Sequence, residues 1–140
     1  MINASPRPRP RPTLDSEPYW HACARHELQL QRCRTCQSFR FYPSPVCWDC
    51  MSQQYDWTRV SGLGTVYSFT VVHRPPQEAF AADVPYVVAL VVLAEGPCMM
   101  SNVVSCPVDD VYIGMPVRVA FQDIGPGTSL PVFEPRKKEG

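Results

Sequence analysis

Four thiols stand in two close pairs, Cys33-x-x-Cys36 and Cys47-x-x-Cys50, ten residues apart in a chain of 140 residues with seven cysteines. A Cys-x-x-Cys turn offers two thiolates to one ion, and two such turns brought together by a hairpin complete a tetrahedral S4 shell. Zinc is the expected occupant, with iron as the alternative, since S4 sites suit both. Four protein ligands leave no position for water or substrate, which makes the expected metal structural and not a Lewis acid. Cys23, Cys98 and Cys106 lie outside the set and read as small buried apolar side chains.

The remaining candidates for chemistry are few. His21 and His26 fall five residues apart in a helical stretch and so do not share a face, and His73 stands beside Arg74 at a strand end, suited to bind an anion or to act as a base. A strand-edge polar pair is the preferred account of His73 and Arg74. Asp109-Asp110 precedes an extended stretch and reads as a turn or cap. Gly62-Leu63-Gly64 enters a strand and not a helix, unlike a phosphate-binding loop. A nucleophile with a base beside it is not evident, so the chain reads as a binding or assembly module, with a hydrolase built on His73 ranked last.

The elements that must position these residues follow from periodicity. Residues 1–13 contain the run Pro6 to Pro12, PRPRPRP, which favours an extended, solvated tail. Leu14, Tyr19, Trp20, Cys23 and Ala24, with Asp15 or Ser16 as cap, predict a helix over about 15–26 whose apolar side must pack on the domain or on a partner. Leu28 to Cys33 alternates as a strand into the first cysteine pair, and Phe39, Phe41 and Tyr42 read as the returning strand before Pro43 and Pro45. The two knuckles and two strands make a zinc ribbon.

Beyond it come Thr65 to His73, Tyr86 to Leu93, Met99 to Val104, Asp109 to Ile113 and Val117 to Asp123, five extended stretches separated by turn residues. In the first, alternation puts Val66, Ser68, Thr70 and Val72 on one face. Five short strands without a second helical pattern predict a Greek-key barrel of OB type. The interruption from Arg74 to Pro85 is the longest and therefore the expected functional loop.

Thirteen Lys and Arg balance thirteen Asp and Glu, although residues 1–40 hold an excess of four positive charges. Between Val60 and Phe121 only Arg74 and Arg118 are basic. An OB barrel can bind single-stranded nucleic acid by stacking bases on aromatics such as Tyr67, Phe69, Tyr86 and Phe121, but this charge footprint is poor for it. With neither a signal-peptide pattern nor a membrane-length apolar run, the expectation is a cytoplasmic protein without membrane association.

The stretches EPYWHACARHELQLQRCRTCQSFRFYPSPVCWDC, SGLGTVYSFTVVHRP, VPYVVALVVLAEGPCMMSNVV, IGMPVRVAF and LPVFEP resemble, in order, a family of acyl-CoA-associated proteins long catalogued as a domain of unknown function. The match covers most of residues 14–135. It implies a mainly β fold: an N-terminal helix over 14–27, a rubredoxin-like zinc ribbon over 28–56 and a five-stranded OB-type barrel over 57–135, between the tails 1–13 and 136–140. It further implies structural Zn2+ at Cys33, Cys36, Cys47 and Cys50.

The implied role is a non-catalytic accessory subunit of a thiolase-superfamily enzyme acting on a coenzyme A thioester. The stretches around TVYSFTVVHRP and VPYVVALV are most similar to the branch that accompanies aldolases cleaving steroid side chains, with thiolysis or acyl transfer as the alternative reaction. Tyr19, Trp20 and Leu28 are then the expected partner-binding residues, and Arg40, Phe41 and Tyr42, with the loop opening at His73 and Arg74, the expected acyl-CoA contacts. Ser44-Pro45-Val46 departs from a family segment that often carries a basic residue, and Cys98 stands where a polar residue is common.

Overall fold

The computed structural model of the chain describes residues 10–136; most of the arginine-proline run and the last four residues lie outside them. One helix, α1 (Glu17–Ala24), precedes eight strands: β1 (Gln29–Cys33), β2 (Phe39–Arg40), β3 (Tyr55–Arg59), β4 (Leu63–Val72), β5 (Tyr86–Leu93), β6 (Cys98–Val103), β7 (Pro116–Gly125) and β8 (Thr128–Pro135). The first three form an antiparallel sheet in the order β2-β1-β3, and the last five close a barrel in the order β4-β5-β6-β8-β7. The protein is thus mainly β, with a helix, a ribbon and a five-stranded barrel.

Helix α1 is shorter than the apolar spacing predicts. It begins at Glu17 because Pro18 suits a first helical turn, and it stops by His26, whose φ of 59° is left-handed. Ser16 occupies the cap position, but its hydroxyl accepts the Thr13 N–H at 2.8 Å and does not cap the helix. The helix packs against β8 and β1. Tyr19, Cys23, Leu28 and Leu30 join Val66, Val87, Val91, Leu93, Met99, Val117 and Phe133 in one core. Burial pushes the Tyr19 phenol well up and the Cys23 thiol up to about 11, so both remain neutral.

Several expectations about strands need correction. Phe41 and Tyr42 lie beyond β2, in the loop to the second knuckle. β3 alternates Tyr55-Asp56-Trp57-Thr58 but is not among the strands expected above; its full length pairs with β1, from Gln29 opposite Arg59 to Cys33 opposite Tyr55. Val108–Asp110 is a short 3-10 turn and not a strand, and the fifth barrel strand is β8. β8 contains Pro131 and Pro135, which the period-two pattern disfavours; it is tolerated because β8 pairs along β7 and touches β6 through a single parallel pair, Val103 with Phe133.

In β4 a bulge between Val66 and Ser68 reverses the facing. Val66 is buried, but after the bulge Phe69 and Val71 pack against the core while Ser68 and Thr70 face out. Strict alternation therefore fails halfway along the strand. Just before it, Gly64 has no room for a side chain: a Cβ there would lie 2.7 Å from Val91 Cγ1 and 2.9 Å from the Val92 carbonyl oxygen. Gly64→Ala is expected to destabilise the barrel by ~1–3 kcal/mol, measured by denaturant unfolding, because the strand must move to admit a methyl.

Candidate functional site

The two knuckles are built alike. Cys33 donates its N–H to Ser38 O at 2.9 Å and accepts Gln37 N–H at 3.0 Å; Cys47 donates to Ser52 O at 2.8 Å and accepts Met51 N–H at 2.9 Å. Each turn closes on a left-handed residue, Gln37 at φ 68° and Met51 at φ 66°. A residue with a Cβ is strained there. Met51→Gly is therefore expected to stabilise the zinc-loaded ribbon by ~0.5–1 kcal/mol, read as a raised thermal midpoint.

β1 delivers Cys33 and the loop after β2 delivers Cys47, so the sheet brings the pairs together. All four sulfurs lie within 4.8 Å of one another. The Cys33–Cys50 and Cys36–Cys47 separations are 3.5 and 3.6 Å. A tetrahedron with Zn–S bonds near 2.3 Å has sulfur–sulfur edges of about 3.8 Å, so the set fits a zinc ion.

The surroundings are prepared for thiolates. Backbone N–H groups of Cys36 and Asp49 approach Cys33 Sγ and Cys47 Sγ at 3.5 and 3.4 Å, and the Ser38 hydroxyl lies 2.9 Å from Cys36 Sγ. The N–H groups of Cys50 and Asp49 hold the Cys47 thiol down at about 6, and that of Cys36 lowers Cys33. Cys50 goes the other way, up to about 12: the Ser52 N–H lowers it, but desolvation and the sulfurs of Cys33, Cys36 and Cys47 outweigh that. Four thiolates do not share this space unless a cation lies among them. A zinc ion here would hold the two knuckles as one unit, with no open coordination position.

The expected partner-binding residues are placed differently. Tyr19 and Leu28 are each only 2% exposed and belong to the chain's own core. Neither ring nor isobutyl group lies at the surface of the chain by itself. Trp20 is half-buried, edge-on to Tyr19 at 4.9 Å between centroids. The exposed large apolar residues among those described are others: Leu14 before the helix, Tyr42, Trp48 and Met51 on the ribbon, Leu63, Tyr67, Met100, Tyr112 and Ile113 on the barrel.

Of the expected ligand contacts, Arg40 is 4% exposed. Its Nε donates to Gln31 Oε1 at 2.9 Å and its Nη2 to Ser44 O at 2.7 Å, which ties down the loop between the knuckles. Arg40 and Phe41 line a cavity of about 280 Å3 between the ribbon and the turn after β5; Tyr42, His73 and Arg74 do not line it. His73 and Arg74 are exposed just past the end of β4. Cys98, read as a core residue, is exposed and borders the same cavity. Sequence spacing carries no sign of that meeting, because it joins two modules some 50 residues apart.

The aromatic residues considered for base stacking are mostly engaged. His26 stacks on Phe121 at 5.3 Å and bonds Asp123 at 2.9 Å, Phe69 packs on the core, Tyr86 lies against Phe80, and Arg118 pairs with Glu134 at 2.9 Å. Among the described residues no helix is long and apolar enough to cross a membrane.

Residues 20–56 match the family model for the ChsH2 rubredoxin-like zinc ribbon domain, and residues 57–122 match that for the ChsH2 C-terminal OB-fold domain. A probable enoyl-CoA hydratase alpha subunit of Thermomonospora curvata is 41% identical over 92% of this chain, and the 3-oxo-4,17-pregnadiene-20-carboxyl-CoA hydratase alpha subunit of Mycobacterium tuberculosis is 38% identical over 91%. The chain spans only 40% of the length of each. A DUF35 domain-containing scaffold protein of Methanocaldococcus jannaschii is 35% identical, with 74% of each chain covered. Among solved structures, a chain of the Ltp2-ChsH2(DUF35) aldolase superposes with a TM-score of 0.82 at 40% identity, covering 91% of this chain and 98% of that one. With residues 20–122 covered by the ribbon and barrel models, the chain belongs to the ChsH2/DUF35 family of zinc-ribbon and OB-fold proteins.

Proposed function

We propose that this chain is a non-catalytic accessory subunit that binds and stabilises a thiolase-like partner enzyme acting on acyl-CoA, in retro-aldol cleavage or thiolysis of a steroid side-chain thioester. The observation that carries the reading is the near-complete overlap with one chain of a two-component aldolase. The steroid acyl-CoA named for a hydratase relative supports the substrate class. The chain's own chemistry agrees: its four chemically conspicuous thiols form a closed ligand set, and Cys23 is buried and neutral.

An accessory subunit needs a surface for its partner, and β5 points to one. Its inward residues Val87, Ala89, Val91 and Leu93 are buried, while its outward residues Val88, Leu90 and Val92 are also apolar and only half-buried. A strand apolar on both faces reads as one covered on both. Across the register, Leu90 neighbours Ser68 on β4 and Met100 on β6, and Met100 is 66% exposed. Tyr67, Tyr112 and Ile113 extend the patch, because Gly114 N–H bonds Val66 O and holds the Tyr112–Gly114 turn beside β4. Tyrosines around an apolar centre suit a binding hot spot. This outer face takes over the docking role first expected of Tyr19 and Leu28. An acyl-CoA contact at Arg40 requires the enclosing loop to move, since Nη1, the one guanidinium nitrogen without a partner, is itself buried.

The test is to purify the chain from its native cell under mild conditions and identify what accompanies it. A thiolase-fold enzyme is expected, with turnover of steroid acyl-CoA only when both chains are present. Met100→Glu is expected to weaken that association about tenfold or more while leaving the zinc content unchanged. Steady turnover by the purified chain alone would refute the accessory role. Steep salt-dependent binding of an oligonucleotide would favour the single-stranded nucleic-acid alternative.

A further inference from the structure

Between the 74–85 loop and strands β6 and β7 lies a cavity of about 190 Å3. Phe80 and Asp83 line it from the loop, Tyr86 from the start of β5, Asn102 from β6 and Gln122 from β7. The two rings lie 6.2 Å apart between centroids, tilted by 40°. Asp83 is exposed and carries the only charge among the described residues that line the cavity. Glu78 adds a second negative charge on the 3-10 turn that ends in Phe80, while His73 and Arg74, at the other end of the loop, do not line it. Asn102 donates its Nδ2–H to Val87 O at 2.8 Å, so what it offers a ligand is its oxygen. Aromatic faces, a carboxylate and amide oxygens together attract a cation and repel an anion. The volume is below the roughly 300 Å3 of an ordinary small-molecule pocket and suits a single side chain. A guanidinium fits better than an ammonium, because it is flat enough to stack on a ring and its five N–H donors form a fixed fork that serves several acceptors at once.

The sequence supplies that group close by. Arg7 and Arg9 stand three and one residues before Pro10, where the described chain begins. At about 3.1 Å per extended residue plus an arginine stem, they reach on the order of 15 Å from it. Arg11 is exposed and does not line the cavity, which leaves these two. Helix α1, which follows the run, packs on β8, and Val104 of the cavity wall donates its N–H to Phe133 O of the same strand at 2.8 Å. The run and the cavity thus approach a common neighbour. Alternation with proline also limits the conformational entropy that the run loses on docking. We propose that the cavity is an arginine-binding site whose occupant is Arg7 or Arg9 of the chain's own arginine-proline run, with Asp83 as the ion-pair partner and Phe80 and Tyr86 as the stacking surfaces. One guanidinium then anchors the run to the 74–85 loop, in place of the solvated tail that its composition suggests. The proposal does not depend on the thiolase-like partner, and its test uses this chain alone.

The full zinc-loaded chain is compared by NMR with Asp83→Asn and with the double variant Arg7→Gln/Arg9→Gln, each checked for unchanged zinc content and barrel amide shifts. In the wild type, one of the two arginines is expected to show ring-current-shifted δ-methylene protons with Overhauser contacts to the Phe80 or Tyr86 ring. Asp83→Asn is expected to abolish them. The peptide acetyl-PRPRPRP-amide, added in trans, is expected to bind the double variant saturably, and the wild type at least tenfold more weakly, because the chain's own run holds the site at high effective concentration. Adding Asp83→Asn to the double variant is expected to weaken the peptide about tenfold, and exchanging the peptide's arginines for lysines to weaken it several-fold. Absence of the ring contacts, equal peptide affinity for wild type and double variant, or peptide binding unaffected by Asp83→Asn or by the lysine exchange would overturn the proposal.

Discussion

Replacing Cys33 by Ser is expected to release one zinc per chain and melt the ribbon while the barrel strands stay paired. Metal binding in small zinc modules is worth on the order of 10 kcal/mol. The apolar residues of the ribbon are few, chiefly Leu28, Leu30 and half-buried Phe39, Phe41 and Trp57, and they cannot replace that contribution. Cys33 matters doubly, because it ends β1 and its peptide group closes the first knuckle. Release is measured with a chromophoric chelator, and loss of ordered β1–β3 by amide exchange. Acid is expected to reproduce the effect in the wild type: the ligands must be deprotonated, so protons compete with the ion as pH falls. Retention of a full zinc equivalent by Cys33→Ser, with the ribbon amides still protected, would show that the sulfurs are not a four-ligand set.

The second large effect is expected from Phe133→Ala. Phe133 is fully buried in β8, where it pairs with Val119 on β7 and makes the single parallel bridge to Val103 on β6 that closes the barrel. Deleting its ring is expected to cost ~3–5 kcal/mol of unfolding free energy, since both transfer and cavity terms apply. α1 packs on β8, so the helix should loosen together with the barrel. Zinc stoichiometry should be preserved, which is the converse of the Cys33→Ser result. If Phe133→Ala unfolds ribbon and barrel in one transition, the core that Tyr19, Leu28 and Leu30 share with the barrel couples the two modules. A change below 1 kcal/mol would mean that β8 does not close the barrel in solution.

How legible these features were in advance depended on the range over which they are specified. The four ligands were readable because two Cys-x-x-Cys turns are local units whose spacing already carries the coordination geometry. β5 was readable because an uninterrupted β-branched run has few other solutions. β8 was not, because the prolines of LPVFEP argue against a strand unless the neighbouring strand leaves their nitrogens unpaired. The facing of β4 was misread from Ser68 onward because a bulge inserts one residue, and nothing local to VYSF announces it.

The same division separates the roles of single residues. Tyr19, on a short amphipathic helix, and Leu28, just beyond it, look like exposed anchors, and only the core shared with the barrel shows them buried. Arg40 looks like a surface cation beside aromatics, yet the ribbon encloses it, with Gln31 Oε1 and Ser44 O as its acceptors.

The sequence by itself determined the metal-ligand set, the β-rich class and the order of helix, ribbon and barrel, because each rests on spacing within a few residues. Only the tertiary structure decided which apolar faces are core and which are surface, where the barrel closes, and that Arg40 is enclosed within the ribbon. Those features depend on contacts between segments far apart in the chain, and burial, unlike periodicity, is a property of what lies opposite.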